Sequence, residues 1–284
     1  MLLTVFDPWK SELCTCPHKI TFNPYTGCDH GCLYCYASSY IPRFHDCRPK
    51  KNLLSRLKKE ASRLDGELIS ISNSSDPYPR QEQKKALTRR CLKILAENRC
   101  NLQIITKSDM VVRDIDIFKE VRCVVSITVL TVDDRLSVKL EPGATVSSRR
   151  LKAIETLVKE NIPTTVRIDP VIPLVNDDLT GLVEIVASLG VHHITCSTYK
   201  VKPDNWLRFS LRFPEVAKNL KPLYFSEGAR IGRSTYLPRE MRLGLMKKVK
   251  ELAEKNNLKF GCCREGFRLN SAFCDGSWAI QMHE

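Results

Sequence analysis

The stretch that decides the fold is residues 20–37, which read ITFNPYTGCDHGCLYCYA. It opens with a short apolar run at 20–23, whose length and composition predict a buried strand. Two glycines, Gly27 and Gly31, then mark a loop that carries three cysteines spaced C-x3-C-x2-C. In parallel α/β folds, function gathers where the strands end. The stretch therefore predicts a chemically active loop at the carboxyl end of the first strand.

Strand-like and helix-like segments alternate through the rest of the chain. Five further apolar runs fit buried parallel strands, at 68–72, 102–106, 121–129, 164–168 and 193–196. Amphipathic stretches fit helices, at 52–64, 83–97, 147–161, 179–189 and 240–256. This alternation predicts repeated parallel βα units. A doubly wound sheet and a partial barrel both satisfy it, and periodicity alone does not choose between them.

The composition is that of a globular protein. The chain has 284 residues, 43% of them hydrophobic, which is enough for a large core without disulfide bonds. The sequence holds no apolar run of 18 residues, so a membrane-spanning helix is excluded. The amino terminus lacks the basic region and cleavage site of a secretion signal. We therefore expect a cytoplasmic protein without membrane contact.

The net charge of +13, from 45 basic and 32 acidic residues, favours a polyanionic partner, with nucleic acid the first candidate. The basic residues concentrate at 50–63, 84–90, 149–152, 208–221 and 230–250. Aromatic residues lie in or beside the last two stretches: Trp206, Phe209, Phe213, Tyr224, Phe225 and Tyr236. Such residues stack on bases in some proteins and fill the core in others. Both interpretations stay open at this point.

Thirteen cysteines in a chain expected in a reducing compartment indicate metal binding or catalysis. Thiolates of Cys28, Cys32 and Cys35 can hold three irons of a 4Fe-4S cluster, which leaves the fourth iron open to another molecule. A structural zinc ion is the alternative. It needs a fourth ligand, and the loop offers none nearby, because His30 is not placed as in a zinc knuckle. The spacing therefore favours the cluster.

These residues resemble the radical S-adenosylmethionine (SAM) superfamily, and within it the branch similar to spore photoproduct lyase and DNA repair photolyases. The resemblance runs over most of the chain. It rests on the cysteines and on further motifs: Tyr34 and Tyr36 beside the third cysteine, SNSSDPY at 72–78, Thr106 with Lys107, RDID at 113–116, Ser126, LEPG at 140–143, Arg150, and DPVIP at 169–173.

The resemblance implies an α/β fold, a partial (β/α)6 TIM-type barrel with a Cys-rich C-terminal extension. The implied organisation is a Cys-containing segment at 1–19, the barrel core at 20–235, and a helix with the Cys-rich extension at 236–284. It also implies an enzyme that uses a 4Fe-4S cluster to cleave SAM to a 5′-deoxyadenosyl radical, which abstracts hydrogen from a substrate. A flavodoxin- or ferredoxin-type protein would supply the electron.

The resemblance also assigns residues. Ser75, Asp76, Lys107 and Ser126 are the expected SAM contacts, because a lysine and hydroxyl groups suit the methionyl carboxylate. Tyr34 and Tyr36 are the expected catalytic residues, as partners in the hydrogen-atom relay of the lyase. The lyase places a cysteine at the end of that relay. This chain has Asn73 there, which carries no S–H group.

A second group of cysteines lies near the two ends of the sequence. Cys14, Cys16, Cys263 and Cys274 could supply four thiolates to a second iron–sulfur cluster or a zinc ion, with Cys262 an alternative to Cys263. Ordinary buried or free thiols are the other interpretation. Four further cysteines fall in strand or helix patterns and are expected in the core: Cys91, Cys100, Cys123 and Cys196. The position of Cys47 stays undecided.

The sequence thus predicts a radical SAM enzyme acting on nucleic acid in repair or modification, but not on the spore photoproduct itself. Two alternatives remain. One keeps the enzyme class with a peptide or protein as substrate. The other is a non-catalytic, metal-stabilised nucleic-acid-binding protein.

Overall fold

The computed structural model describes residues 1–6 and 12–282, and twelve strands form its sheets. In chain order they are β1 Thr4–Val5, β2 Ile20–Phe22, β3 Tyr25–Thr26, β4 Arg48–Pro49, β5 Leu68–Ile71, β6 Asn101–Thr106, β7 Cys123–Thr128, β8 Thr164–Val171, β9 His193–Thr198, β10 Ala229–Ile231, β11 Ser234–Tyr236 and β12 Lys259–Cys262.

One eight-stranded sheet dominates the described residues, in the order β1-β2-β5-β6-β7-β8-β9-β12. Seven of these strands run parallel: β2, β5, β6, β7, β8, β9 and β12. The eighth, β1, pairs antiparallel with β2 at one edge of the sheet. Two small antiparallel pairs, β3 with β4 and β10 with β11, lie apart from it. The carboxyl ends of seven neighbouring strands therefore meet at one edge of the sheet.

Ten α-helices connect and cover the strands in the described part of the chain. They are α1 Leu53–Ala61, α2 Glu82–Lys85, α3 Leu87–Glu97, α4 Ile115–Phe118, α5 Asp134–Leu140, α6 Ser147–Lys159, α7 Thr180–Ser188, α8 Pro203–Arg212, α9 Pro214–Phe225 and α10 Arg239–Lys255. Three 3-10 helices add Ala37–Ser39, Asp109–Asp114 and Ser277–Met282. None of the helices described is both long enough and apolar enough to cross a membrane.

All six predicted strands are confirmed, with bounds shifted by a few residues. The helix predicted at 83–97 is two helices, because Ala86 adopts a left-handed conformation with φ of 46°. The break has a physical reason. The buried Glu82 carboxylate accepts hydrogen bonds from the backbone N–H groups of Leu87 and Thr88, at 2.8 and 2.9 Å. It therefore caps the first turn of α3 from outside the helix.

The two faces of the sheet differ in polarity. Alternate side chains point to the helices and build the main core: Ile69, Ile71, Leu102, Ile104, Val125, Ile127, Val166, Ile168, Ile194 and Cys196. Each buried aliphatic side chain of this kind contributes about 1.5–3 kcal/mol. The residues between them point to the opposite face and include polar groups that are also buried: Ser70, Gln103, Ser126, Thr165, Thr195 and Ser197. That face needs hydrogen-bond partners, which the rest of the chain must provide.

The carboxyl-terminal segment supplies part of this covering. The Thr195 hydroxyl donates to the carbonyl oxygen of Cys274 at 3.0 Å, and the Gln103 amide donates to that of Asp275 at 3.0 Å. The Asp275 carboxylate forms a buried ion pair with Lys19, just before β2. Ala279 and Ile280 then pack on Val124. The predicted Cys-rich extension is thus built into the sheet, and β12, which the sequence did not indicate, pairs with β9.

Gly261 allows the segment to approach β12. A Cβ atom at this position would overlap the Cys274 carbonyl group, whereas one at Gly244 on α10 would meet nothing within 4 Å. We predict that Gly261→Ala lowers the free energy of unfolding by about 1–3 kcal/mol, because the overlap displaces backbone. Gly244→Ala should raise it by up to about 1 kcal/mol, because the helix gains propensity. Urea denaturation at matched metal content measures both, and equal stability of the two variants would contradict this packing.

Candidate active site

Glycines shape the cysteine loop that follows β2. Gly27 and Gly31 have φ of 77° and 63°, in the left-handed region that L side chains rarely adopt. A Cβ atom on Gly27 would overlap the Phe44 carbonyl group, which accepts a hydrogen bond from the Cys28 N–H at 2.7 Å. The loop therefore folds back on residues 44–46.

The predicted cluster ligands Cys28, Cys32 and Cys35 are brought together by this loop. Cys28 and Cys32 are buried and Cys35 is half-buried. Burial raises the pKa of all three thiols, and that of Cys32 to about 12, because the charged thiolate loses its hydration. Within the described chain, the ligand atoms of Cys28, Asp29 and His30 lie within 4.8 Å of one another, a group that does not include Cys32 or Cys35.

A second loop, at 140–143, clamps the first. The Leu33 N–H donates to the Leu140 carbonyl at 2.9 Å, and the Gly143 N–H donates to the His30 carbonyl at 2.7 Å. A Cβ atom on Gly143 would overlap the Asp29 carbonyl, so a side chain there would push the loops apart. This contact explains the LEPG motif that the sequence singled out. The motif holds the cysteine loop in place.

A buried ion pair stands beneath the cysteine loop. Arg150 of α6 is fully buried, and its guanidinium lies 2.6 Å from the Glu141 carboxylate. The Tyr34 hydroxyl donates a hydrogen bond to the same carboxylate. Burial acts to raise the pKa of Glu141, but the charges of Arg150 and Lys107 outweigh it and lower that pKa. Glu141 is therefore a carboxylate held between two cations beside the predicted cluster ligands.

Asp76 organises the neighbouring strand ends. Its carboxylate accepts hydrogen bonds from the Thr106 hydroxyl at 2.8 Å and from the N–H groups of Lys107 and Tyr78, at 2.7 and 3.0 Å. The His30 Nδ1 atom lies 3.6 Å from it. Both oxygens of Asp76 thus have protein partners. The residue joins the loop after β5, the end of β6 and the cysteine loop.

Lys107 and the two predicted serines lie around this point. The Lys107 ammonium lies 5.7 Å from the centre of the Tyr34 ring. Burial acts to lower the pKa of Lys107, but Cys32, Glu141 and Asp76 outweigh it and raise that pKa. The Ser75 hydroxyl donates to the Tyr25 carbonyl at 3.0 Å. The Ser126 hydroxyl, on the polar face of β7, is fully buried and has no hydrogen-bond partner among the described residues.

Tyr34 and Tyr36 lie in different environments. Tyr34 is buried, whereas Tyr36 is 43% exposed and its hydroxyl donates to the Asn73 carbonyl at 3.2 Å. The Tyr36 ring stacks on that of Tyr40, which is 49% exposed, with centroids 6.3 Å apart. The structure therefore brings Tyr36 to Asn73, the position where the resemblance expected a cysteine.

The sequence did not indicate that α8 holds the third cysteine. Arg208 donates to the Cys35 carbonyl at 3.1 Å, and the Ser38 hydroxyl donates to the Asp204 carboxylate at 2.6 Å. Asn205 donates to the Tyr34 carbonyl at 3.2 Å. These contacts join residues more than 160 positions apart, so no local pattern could have revealed them.

A further cluster of charged side chains, which the sequence did not predict, lies at the ends of β8 and β9. Arg167 pairs with Asp169 at 2.8 Å, and Lys200 pairs with Glu265 at 3.2 Å. The Ser197 hydroxyl donates to Asp169. Arg167 stands two positions after Thr165, the register partner of Ser126, so it points to the same face of the sheet as Ser126. Fixed charges therefore also line the ends of β8 and β9.

The remaining predicted residues divide between the surface and the core. Cys91, Cys100, Cys123 and Cys196 are buried in the main core, as expected, and Cys47 packs partly against it. Of the second cysteine set, Cys16 and Cys274 lie side by side, with Cys14 in contact with Cys16. Four of the six aromatics from the basic stretches are core residues rather than stacking surfaces: Phe209, Phe213, Tyr224 and Tyr236.

The site as a whole fits a cluster with a bound, carboxylate-bearing cosubstrate. Three free cysteines lie in one short loop beside these charged residues. The Ser126 hydroxyl is one of several buried side-chain groups without a partner among the described residues, and it lies on the strand next to the one that leads to Lys107, where a ligand could bond to it. Lys107 adds the positive charge that an anionic ligand needs.

Comparison with known proteins agrees with this geometry. The family model described as the Radical SAM superfamily matches residues 22–185, more than half of the chain. An uncharacterized protein of Methanocaldococcus jannaschii is 33% identical over 162 residues, which span 55% of this chain but only 61% of that protein. An uncharacterized protein of Mycobacterium tuberculosis is 26% identical over 267 residues, which span 85% of this chain and 76% of that protein.

Solved structures show the same fold. A spore photoproduct lyase variant with bound AdoMet and dinucleoside spore photoproduct superposes with a TM-score of 0.61 at 16% identity, covering 89% of this chain and 77% of that chain. Streptococcus suis SuiB bound to S-adenosylmethionine gives a TM-score of 0.51 at 14% identity, covering 71% and 47%. The predicted partial barrel is confirmed.

The buried ion pair makes a direct prediction. Glu141→Gln leaves the Arg150 charge buried without its counter-charge, so we expect the free energy of unfolding to fall by about 3–5 kcal/mol. Tyr34→Phe removes one hydrogen bond to the same carboxylate and should cost about 0.5–3 kcal/mol. Thermal denaturation of both variants, prepared without cluster, measures the difference. A Glu141→Gln variant as stable as Tyr34→Phe would show that the pair is not the support of the loop.

Proposed function

Because the chain belongs to the radical SAM superfamily and is an enzyme of that class, we propose that Cys28, Cys32 and Cys35 hold a 4Fe-4S cluster and that SAM binds beside it. The observation that carries the proposal is the buried, unpartnered Ser126 hydroxyl on the polar face of β7. The neighbouring strand β6 leads to Lys107, whose ammonium lies 5.7 Å from the ring of Tyr34 in the cysteine loop. A free hydroxyl and a nearby ammonium group together suit the carboxylate of a ligand.

The chain's own residues have distinct tasks in this proposal. Lys107 and Ser126 bind the methionyl carboxylate, and Ser75 lies in the same loop as Asp76. Asp76 positions Lys107, because it holds the Lys107 backbone N–H at 2.7 Å. When bound, the cluster and SAM supply a 5′-deoxyadenosyl radical that takes a hydrogen atom from the substrate. The 140–143 clamp and α8 keep water from the cysteine loop. The electron comes from a flavodoxin- or ferredoxin-type donor.

The residues around Tyr36 favour a reaction other than repair of the spore photoproduct. Tyr36 reaches residue 73, and that residue is an asparagine whose amide is hydrogen-bonded to Thr21 at 2.7 Å. An asparagine cannot return a hydrogen atom as a thiol does. Tyr34, in turn, is held by Glu141 beneath the cysteine loop. We infer that the relay, if used, ends on a different donor.

Nucleic acid is the proposed substrate. The net charge of +13 supports it, and so does the exposed, stacked pair of Tyr36 and Tyr40 beside the cysteine loop. The charge of Arg264 acts on both tyrosines, so a cation lies near the pair. Exposed aromatic rings beside a cation suit an unstacked base and its phosphate. The four buried aromatics named above play no part in this surface.

The first test is the radical reaction itself. We predict that the parent, reconstituted anaerobically, forms 5′-deoxyadenosine from SAM and dithionite, and that Cys32→Ala forms none. Ser126→Ala should raise the Kd for SAM about tenfold, which corresponds to about 1.4 kcal/mol for one lost hydrogen bond to a charged group. Ser210→Ala on α8, whose hydroxyl is also buried and unpartnered among the described residues, is the matched control.

Two outcomes would contradict the assignment. A parent that carries a full cluster but forms no 5′-deoxyadenosine would favour a non-catalytic, metal-stabilised binding protein. Equal SAM affinity in Ser126→Ala and Ser210→Ala would remove Ser126 from the binding site.

The second test addresses the substrate. We predict that the parent binds single-stranded nucleic acid, that binding weakens steeply as salt rises, and that Tyr40→Ala weakens it by about 1–3 kcal/mol. Phe225→Ala removes an aromatic ring that is 51% exposed on α9, outside the proposed surface, and should change nothing. Fluorescence anisotropy across a salt series measures both. Binding that is absent or independent of salt would instead favour a peptide or protein substrate.

A further inference from the structure

Four cysteines from the two ends of the chain lie together beside the open edges of the main sheet. The sulfur atoms of Cys16 and Cys274 are 3.6 Å apart, although 258 positions separate them in sequence. The side chain of Cys14 makes a hydrogen-bond contact with Cys16, and Cys263 is close enough to act on the charge of Cys16. All four are free cysteines. The sequence placed them near the two ends, and the fold makes them neighbours.

The distance between Cys16 and Cys274 fits a shared metal ion. A disulfide bond would hold the sulfurs at about 2.05 Å. Two thiolates on a tetrahedral zinc ion, each about 2.3 Å from the metal, are about 3.8 Å apart. The observed 3.6 Å is close to this tetrahedral edge. A single ion therefore suits this pair.

Strand geometry selects Cys263 over Cys262 as the fourth ligand. Side chains of β12 alternate between the faces of the sheet. Phe260 and Cys262 belong to the core under the helices, so Cys262 points away from the other cysteines. Cys263 follows it, and its side chain takes part in a hydrogen bond with Arg167, on the polar face. The alternative that the sequence left open is thereby resolved in favour of Cys263.

Positively charged side chains lie close to these cysteines and could balance the negative charge of their thiolates. Four thiolates around a zinc ion carry a net charge of −2, which needs compensation in a buried site. Three cations stand nearby. Lys19 acts on Cys16, Arg167 bonds to Cys263, and Arg264 acts on Cys14. Lys19 and Arg167 also pair with Asp275 and Asp169, so the four cysteines lie within a wider charged network.

The backbone is also shaped for close approach. Gly261 leaves room for the Cys274 carbonyl, as described above. Gly266 has φ of 74°, and a Cβ atom there would lie 2.8 Å from the Leu13 side chain, next to Cys14. Gly261 thus lets β12 pass close to the segment that carries Cys274, and Gly266 lets the loop after Cys263 pass close to the amino-terminal segment.

We propose that Cys14, Cys16, Cys263 and Cys274 bind one zinc ion through four thiolates, and that this ion joins the segments flanking the two edges of the sheet. No three of these four described sulfurs lie mutually within 4.8 Å. The ion therefore draws the Cys14 and Cys263 side chains inward onto the Cys16–Cys274 pair. The site is separate from the cysteines at 28, 32 and 35, and it stands whether or not the radical reaction proceeds as proposed.

Elemental analysis of the full-length protein, expressed with zinc and purified anaerobically, tests the proposal. We expect about one zinc per chain in the parent and at least a tenfold loss in the C16A/C274A variant. The matched control is C196A/C262A, which changes two register partners on the opposite face of the same sheet and should retain the zinc. Iron at the other site should be equal in all three proteins.

Three results would overturn the proposal: no zinc in the parent, zinc retained by C16A/C274A, or iron in place of zinc at these four cysteines. If C16A/C274A does not fold, the parent alone decides. Cobalt substitution should then give the visible d–d bands of a tetrahedral thiolate site, and a mercurial reagent should release about one zinc per chain to a metallochromic dye. Bands typical of oxygen or nitrogen ligands would refute the tetrathiolate site.

Discussion

The buried pair of Glu141 and Arg150 is the interaction on which the candidate active site depends. Removing two charges from water is costly, and the cost is met only when each charge faces the other and the remaining donors are bonded. Here Tyr34 and Lys107 complete the surroundings of the carboxylate. One residue of the cysteine loop, one strand end and one helix are thereby fixed to a common point. The ion pair therefore stabilises the cysteine loop as much as the tight turns at its glycines do.

The second constraint is the polar inner face of the sheet. Parallel strands in α/β proteins commonly bury apolar residues on both faces. This sheet instead buries serines, threonines and a glutamine on one face, and these groups require partners. At one end the carboxyl-terminal segment provides them. Near the carboxyl edge the Ser126 hydroxyl is left without a partner among the described residues, beside Lys107 and the cysteine loop. The carboxyl-terminal segment thus covers one part of the polar face, and the part near Ser126 is left for a ligand.

Much of this arrangement could be predicted from the sequence. The C-x3-C-x2-C spacing identified the loop, and apolar runs identified six strands, because both signals are local. The strand β12, with the sequence KFGC, was missed because its glycine and its charged first residue interrupt the apolar run that marks a buried strand. The break at Ala86 was missed because its cause, the Glu82 carboxylate, acts outside the helical period. The contacts between α8 and the cysteine loop could not be predicted, because they join residues that are distant in the sequence.

The long-range pair of Lys19 and Asp275 has a consequence for the time course of folding. Its residues are 256 positions apart, so the pair closes a loop that contains all the intervening βα units. Closing so long a segment is entropically costly and tends to come late. Interactions that form late hold the native state by slowing its unfolding, while they change the folding rate little. We therefore expect that weakening the contact between the two ends of the chain speeds unfolding more than it slows folding.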